Sequence, residues 1–368
     1  MRVFSDGSAA IVRGALDAGC SFFAGYPITP ASPILMAMMS ELPKKGGVAI
    51  QAEDEIAAIG MCIGASMTGA RALTATSGPG ISLYSENIGL AIMGEVPLVI
   101  VDVQRLGPAT GGATTVGQGD VQFVRWGTAG GFPIVALAPS SAAECYGATM
   151  RAFDLAERLR TPVFVLTDKE IDLTASTIET GRFLRFEVGA RPEAGPGSAP
   201  YRFDPAENVP PMPLIGGKIP VRFTGSTHDE RAFLTKDPAT VARLNEHLVR
   251  KIEARASEIE WVHADEQPGA EILVVAYGVT AGAAREAVED LRRGGTKASL
   301  LVPVSLWPIP AGALARACRG KRRIVVAELN QGLYAREIAP LAGGAEVVSC
   351  TRMDGELISP EQIERACR

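Results

Sequence analysis

Three segments in the first third of the chain set reactive side chains in stiff or glycine-rich backbone. In "GYPITPASPI", residues 25–34, Pro27, Pro30 and Pro33 fix φ and lack an N–H. They make a rigid turn that ends one element and opens another, with a lone hydroxyl, Thr29, in its middle. In "QAEDEIAAIGMCIGASMTGARALTATSGPG", residues 51–80, Glu53 and Glu55 open a helix. Carboxylates there commonly serve only the helix dipole, yet a carboxylate is also a proton donor and acceptor. Gly60, Gly64 and Gly69 cost helix stability unless something packs closely against them. "TSGPG" then ends a strand in a turn that lets backbone approach a ligand, although an ordinary tight turn reads the same way. In "DVQRLGPATGGATTVGQGD", residues 102–120, Arg105 sits at the C-terminal end of a strand, where open α/β sheets bind ligands. Its planar guanidinium suits a carboxylate, or more plainly a surface ion pair. Thr110, Thr114, Thr115, Gln118 and Asp120 come next and can line the same pocket.

Composition limits what these segments can serve. With 368 residues, 47% hydrophobic and 40 glycines, the chain suits two globular domains with a large core. A net charge of −5 without a long basic run argues against nucleic acid or an anionic membrane as partner. No apolar stretch reaches about 18 residues, and "MRVFSDGSAA" has no apolar signal core, so a cytoplasmic location is expected. Cys20, Cys62, Cys145, Cys318, Cys350 and Cys367 form no C-x-x-C pair. They are expected as reduced, partly buried thiols, with no metal or cluster on this chain.

The elements that must position these residues alternate. Helical "SAAIVRGALDAG" precedes "CSFFAGYP", and helical "DEIAAIGMCIGASMTG" precedes "ARALTATSGPG". A helix near 82–94 leads to "VPLVIVDV", followed later by "FPIVALAP", "SAAECYGATMRAFDLAERLR" and "TPVFVLTD". Continuous apolar strands between amphipathic helices predict a parallel sheet covered on both faces, over residues 1–190. Residues 191–268 read as a Pro/Gly-rich crossover followed by a charged helix, "TVARLNEHLVRKIEARASEIEW". Residues 269–368 read as a second, smaller α/β domain containing "EILVVAYGVT", "KASLLVPVSLWPIP", "RRIVVAELN" and "AEVVSC".

A glutamate opening a Gly/Ala-rich helix, followed by "TSGPG" after a strand, is similar to the pyrimidine-binding domain of thiamine-diphosphate enzymes. With "GYPITPASPI" and "RLGPATGGATTVGQGD" in the same order, nearly the whole chain resembles the alpha subunits of 2-oxoacid:ferredoxin oxidoreductases, the 2-oxoglutarate type in particular. The resemblance implies a pyrimidine-type parallel-sheet domain followed by a transketolase C-terminal-like domain. It also implies CoA-dependent oxidative decarboxylation of a 2-oxoacid to acyl-CoA and CO₂, with electrons passed to ferredoxin or another acceptor. The helix glutamate of such domains hydrogen-bonds the aminopyrimidine ring and promotes its reactive form. Glu55 fits the family register, with Ala57, Ala58 and Gly64 behind it, and Glu53 is the second candidate. Thr29 and Arg105 match the substrate-binding threonine and arginine, and Thr110 and Thr114 are candidates beside them. Tyr26, Pro27, Ile28, Ser77, Gly78 and Pro79 are expected against the cofactor, and His228 of "TGSTHDE" near the active centre or on a surface loop.

A thiamine-type diphosphate–Mg²⁺ site needs a Gly-Asp-Gly turn and a downstream Asn, and "GQGD" and "MDGE" do not supply them. The resemblance therefore implies half of a shared site. A beta subunit would carry the diphosphate, Mg²⁺ and an iron–sulfur cluster, and CoA would be the co-substrate. A gamma-type domain, if used, is expected on another chain. Half of a different thiamine enzyme, or a scaffold that keeps the fold without the chemistry, stand as the alternatives.

Overall fold

Strands without a polar face need cover on both sides, and Leu98–Gln104 and Pro162–Asp168 are buried at every residue. They lie at the centre of a seven-stranded sheet in a computed structural model describing residues 2–191, 194–195, 197–218 and 220–368. The strand order is Ser305–Trp307, Val135–Leu137, Pro162–Asp168, Leu98–Gln104, Ala72–Thr76, Phe22–Gly25, Val48–Gln51. All pairs are parallel except that of Ser305–Trp307 with Val135–Leu137. Helices Gly7–Asp17, Ser32–Glu41 and Ala142–Leu159 cover one face, packing Ile11, Ile34 and Phe153 onto Phe23, Val101 and Val163. Helices Glu55–Met67 and Ser85–Met93 cover the other with Ile59, Cys62 and Ile88. The predicted helix near 82–94 is Ser85–Met93, and a separate short helix, Gly78–Leu83, precedes it.

A second sheet, ordered Glu346–Thr351, Arg323–Glu328, Ile272–Ala276, Ala298–Pro303, Val262–Asp265, is parallel but for its last strand. "KASLLVPVSLWPIP", which reads as one strand, divides between the two sheets. Ala298–Pro303 stays in the second, while Ser305–Trp307 crosses to the edge of the first, where Trp307 Nε1 donates to Val121 O at 3.1 Å.

The Pro/Gly-rich crossover is ordered by side chains rather than by sheet pairing. Prolines leave carbonyls that no neighbouring N–H answers. Arg160, fully buried, donates to the carbonyls of Pro200 at 2.8 Å and Pro210 at 3.1 Å, and to Glu95 O at 3.2 Å. Glu95 in turn accepts from His247 Nε2 and Lys251 Nζ, both at 2.9 Å, which ties helix Pro238–Glu253 to the first domain. Burial alone would raise the Glu95 carboxyl, but Lys251, Arg160 and His247 hold it well below the usual range. Pro192, Glu193 and Pro196 of the crossover lie outside the described residues.

Asp172 is fully buried, accepts from Ser8 Oγ and has no partner for Oδ1 among the described residues, and burial pushes its carboxyl up to about 8. A carboxyl raised on folding binds protons that the unfolded chain releases, so stability falls as pH rises from the ordinary carboxylate range through about 8. Asp172→Asn is expected to flatten this slope by up to roughly 1 kcal/mol per pH unit, making the variant the more stable protein at alkaline pH. Denaturant melts of the two proteins across pH check it, and parallel pH profiles would contradict it.

Candidate active site

The sheet reverses its winding between Phe22–Gly25 and Ala72–Thr76. The chain leaves the first of these for Val48–Gln51 on one side, then returns to the second on the other. Ligands of open parallel sheets bind outside the carboxyl ends of the strands at such a point. Four adjacent strands, Val48–Gln51, Phe22–Gly25, Ala72–Thr76 and Leu98–Gln104, run there into the segments bearing the glutamates, Thr29, Ser77–Gly80 and Arg105.

The two glutamates have different surroundings. Asp54 caps helix Glu55–Met67, its carboxylate accepting from Ala57 N at 2.7 Å, so the helix end already has its anion. Glu53 is exposed, whereas Glu55 is only 7% exposed and lies against Gly80. A Cβ on Gly80 would stand 2.0 Å from Thr76 Oγ1 and 3.0 Å from Glu55 Oε1, so this turn admits only glycine. No described residue donates a hydrogen bond to the Glu55 carboxylate, whose oxygens keep access to solvent and so stand open to a ligand. Among the described residues the predicted close neighbour is present at Gly69, where Leu214 Cδ1 would stand 3.0 Å from a Cβ, and absent at the two glycines within the helix. A Cβ on Gly60 or Gly64 would meet nothing within 4 Å, and Gly69 lies beyond the helix end at φ 101.

Arg105 joins the other segments. It is 5% exposed; Nη1 donates to the Thr29 carbonyl and Nη2 to the Thr110 carbonyl at 3.0 Å. Gly78, at φ 30, lies alongside it, a Cβ there standing in ordinary contact 3.7 Å from Nε, and that Nε has no partner among the described residues. The guanidinium thus clamps two loops and keeps N–H groups for a ligand. Thr29 and the neighbouring Tyr26 and Pro27 are exposed, and Ile28 is half-buried. Ser77 is buried with its hydroxyl unpartnered, beside the half-buried Gly78 and Pro79.

A cavity of about 630 Å³ opens over this clamp, lined by Gly78, Pro79, Arg105 and Asp120 from the first domain. Leu329, Asn330 and Gln331, directly after strand Arg323–Glu328, close its other side. The rule that singles out Arg105, a polar residue just past a parallel strand, also singles out Asn330. Its Nδ2 donates to Gln118 O at 2.7 Å and to Tyr277 Oη at 2.8 Å. Gln118 is buried between the domains, its Nε2 donating to Tyr277 O at 3.1 Å and its Oε1 accepting from Leu329 N at 3.0 Å. Thr110 and Thr114 are exposed on the loop, and Thr115 Oγ1 donates to Gly112 O at 2.9 Å. These three hydroxyls do not line the cavity.

His228 lines a different cavity with Tyr201, Phe203 and Arg243, its ring 4.1 Å from that of Tyr201. The six cysteines are free thiols, five buried and Cys350 half-buried. Among the described residues no group of His, Cys, Asp or Glu could hold a metal ion, and no helix is long and apolar enough to cross a membrane.

Residues 13–246 match the family described as pyruvate flavodoxin/ferredoxin oxidoreductase, thiamine diphosphate-binding, and residues 270–363 match pyruvate:ferredoxin oxidoreductase core domain II. The chain is 42% identical to the 2-oxoglutarate synthase subunit KorA of Methanocaldococcus jannaschii, over 99% of this chain and 98% of the relative. It is 36% identical to the ketoisovalerate oxidoreductase subunit VorB of Methanothermobacter thermautotrophicus, over 97% and 94%. The 2-oxoglutarate:ferredoxin oxidoreductase of Magnetococcus marinus, solved with 2-oxoglutarate, coenzyme A and succinyl-CoA bound, superposes with a TM-score of 0.92 at 30% identity. The match covers 99% of this chain and 64% of that one. A split-gene transketolase, 13% identical with a TM-score of 0.57, shares the fold. With both domains matched in order and relatives 40–42% identical over nearly their full length, the chain belongs to the thiamine-diphosphate-binding family of pyruvate flavodoxin/ferredoxin oxidoreductases.

Proposed function

We propose that the chain is the pyrimidine-side subunit of a CoA-dependent 2-oxoglutarate oxidoreductase working in the cytoplasm. A beta subunit carrying the diphosphate–Mg²⁺ turn and an iron–sulfur cluster completes the site, and electrons leave to ferredoxin. The observation that carries the reading is Glu55, a buried carboxylate with no donor of its own, at the switch point where Arg105 and Thr29 meet. The substrate follows from the ranking of relatives, 40–42% for 2-oxoglutarate synthase subunits against 33–36% for ketoisovalerate ones.

The residues present fit thiamine diphosphate's pyrimidine end. Glu55 offers an open acceptor, and the cradle at Gly80 excludes a side chain beside it. Ser77 Oγ lies buried without a partner next to it, and Tyr26, Pro27, Ile28, Gly78 and Pro79 form the surrounding turns. Bound thiamine diphosphate supplies a nucleophilic carbon for the 2-oxoacid carbonyl and a place for the electron pair left when CO₂ departs. Glu55 takes and returns a proton at its carboxylate, in a water-poor setting that strengthens the bond. Arg105 presents its remaining N–H groups to the substrate carboxylate, and the Thr29 hydroxyl donates beside them. Because Arg105 Nη1 already fixes the Thr29 backbone, both donors are oriented before substrate arrives, which lowers the entropy lost on binding.

The complex purified with its partner is expected to reduce an artificial electron acceptor with 2-oxoglutarate and CoA together, faster than with pyruvate or branched 2-oxoacids. Preference for a branched acid would reassign the substrate. Turnover without CoA would move the chain to another thiamine class, and none with any 2-oxoacid would leave the scaffold reading.

A further inference from the structure

Behind the Arg105 cavity the carboxyl groups of Asp102 and Asp120 meet, and no side chain among the described residues donates between them. Asp102 is fully buried in strand Leu98–Gln104, its Cα paired with those of Thr76 and Leu166 on the flanking strands. Gln104, two residues on and so on the same face of the strand, accepts from Asp120 N at 3.1 Å through Oε1. That bond holds Asp120 over Asp102 at the start of helix Val121–Trp126. Written as two carboxylates, the pair leaves both Asp102 oxygens and Asp120 Oδ2 buried without a partner. Two touching buried anions are strongly disfavoured, whereas one proton converts the contact into a charge-assisted O–H···O⁻ bond.

We propose that Asp102 is a positioning residue that keeps its proton and donates it to Asp120, fixing the Asp120 carboxylate opposite Arg105. The charged and polar groups around the pair agree with this assignment. Arg105 is the cation acting on Asp120, and the Gly78 amide faces Asp102. Glu55 is a further anion beyond Thr76 and Gly80, and Asp168 one more at the end of the neighbouring strand, held by the amides of Val279 at 2.8 Å and Ile171 at 3.2 Å. Burial raises both carboxyls. The charge of Asp120 adds to the rise at Asp102, which goes well above the usual range, while the bond from Asp102 and the charge of Arg105 limit Asp120 to about 6. At neutral pH the pair is therefore Asp102–COOH with Asp120–COO⁻. It links the Gly78 turn to Arg105 along the first-domain side of the cavity. As pH rises, loss of that proton sets two like charges in contact and loosens Asp120 from its place.

The role in positioning Arg105 rests on the substrate reading above; the proton itself is read without turnover. In the complex of the full chain with its partner, infrared difference spectra between wild type and Asp102→Asn at neutral pH are expected to show a carboxylic-acid C=O band lost in the variant. An Asp172→Asn control separates the other buried acid. In steady-state kinetics, the wild-type KM for 2-oxoacid is expected to climb from neutral to alkaline pH. That climb is expected to vanish in Asp102→Asn, whose amide still donates to Asp120 but cannot lose a proton. Asp102→Leu, which has no donor, is expected to raise KM at every pH with a smaller change in kcat. A C=O band unaltered by Asp102→Asn, or an alkaline rise in KM that persists in it, would overturn the proposal. Loss of turnover with the band difference intact would count against the substrate reading alone.

Discussion

Glu55→Gln is expected to lower turnover by roughly 10²–10⁴-fold while the chain folds and assembles as before. Gln keeps the shape and a hydrogen-bonding end but cannot take up a proton, and no internal partner is lost, because no described residue donates to Glu55. The helix start keeps its cap, which Asp54 and not Glu55 provides. Glu53→Gln, at an exposed position two residues earlier, is expected to leave kcat near that of the parent. Turnover of both variants in the assembled complex, alongside size-exclusion profiles, decides between the two glutamates. Near-normal activity in the Glu55 variant with collapse in the Glu53 variant would reverse the assignment.

Arg105→Lys is expected to raise KM for 2-oxoacids by roughly 10–100-fold with cofactor occupancy unchanged, reflecting hydrogen bonds to a charged group worth about 1.5–3 kcal/mol each. The ammonium keeps the charge but cannot reach the carbonyls of Thr29 and Thr110 together while presenting a planar fork to a carboxylate. Thr29→Val keeps the β-branched shape and removes only the hydroxyl, so its smaller defect isolates one hydrogen bond. Kinetics across 2-oxoacids of different side-chain length show which carboxylate is held. A defect common to all of them places Arg105 at the shared 1-carboxylate. A defect confined to 2-oxoglutarate would place it at the distal carboxylate and contradict a role at the shared one.

Much of this geometry is local in origin and so legible in the sequence. Continuous apolar runs such as "PLVIVDV" announce buried parallel strands, and the residues just past each run stand at the carboxyl edge of the sheet. That places Thr29, Ser77–Pro79 and Arg105 correctly with respect to the sheet. The register of the family that the chain resembles favours Glu55 over Glu53; the structure adds a physical reason, since Asp54 takes the capping role. Features that depend on tertiary contact are not legible in this way. Thr110, Thr114 and Thr115 lie close to Arg105 along the chain but are not among the residues lining the cavity, and Gln118 is spent joining the two domains. Asp102 reads as one more residue of a strand, because nothing in sequence reveals that Gln104 brings Asp120 over it. Asn330 is within reach of the strand-end rule but lies far along the chain from Arg105, and only the docking of the second domain brings it to the cavity. Gly60 and Gly64 are exposed on helix Glu55–Met67, with no described residue within 4 Å of a Cβ placed on either.

The claim that this chain holds one half of a shared site is tested most directly by calorimetric titration with thiamine diphosphate and Mg²⁺. The purified chain alone is expected to bind weakly or not at all, having no Gly-Asp-Gly turn with a downstream Asn, while the complex with its partner subunit binds in the micromolar range or tighter. Micromolar binding by the isolated chain would contradict the account, since it would require a diphosphate site within these residues.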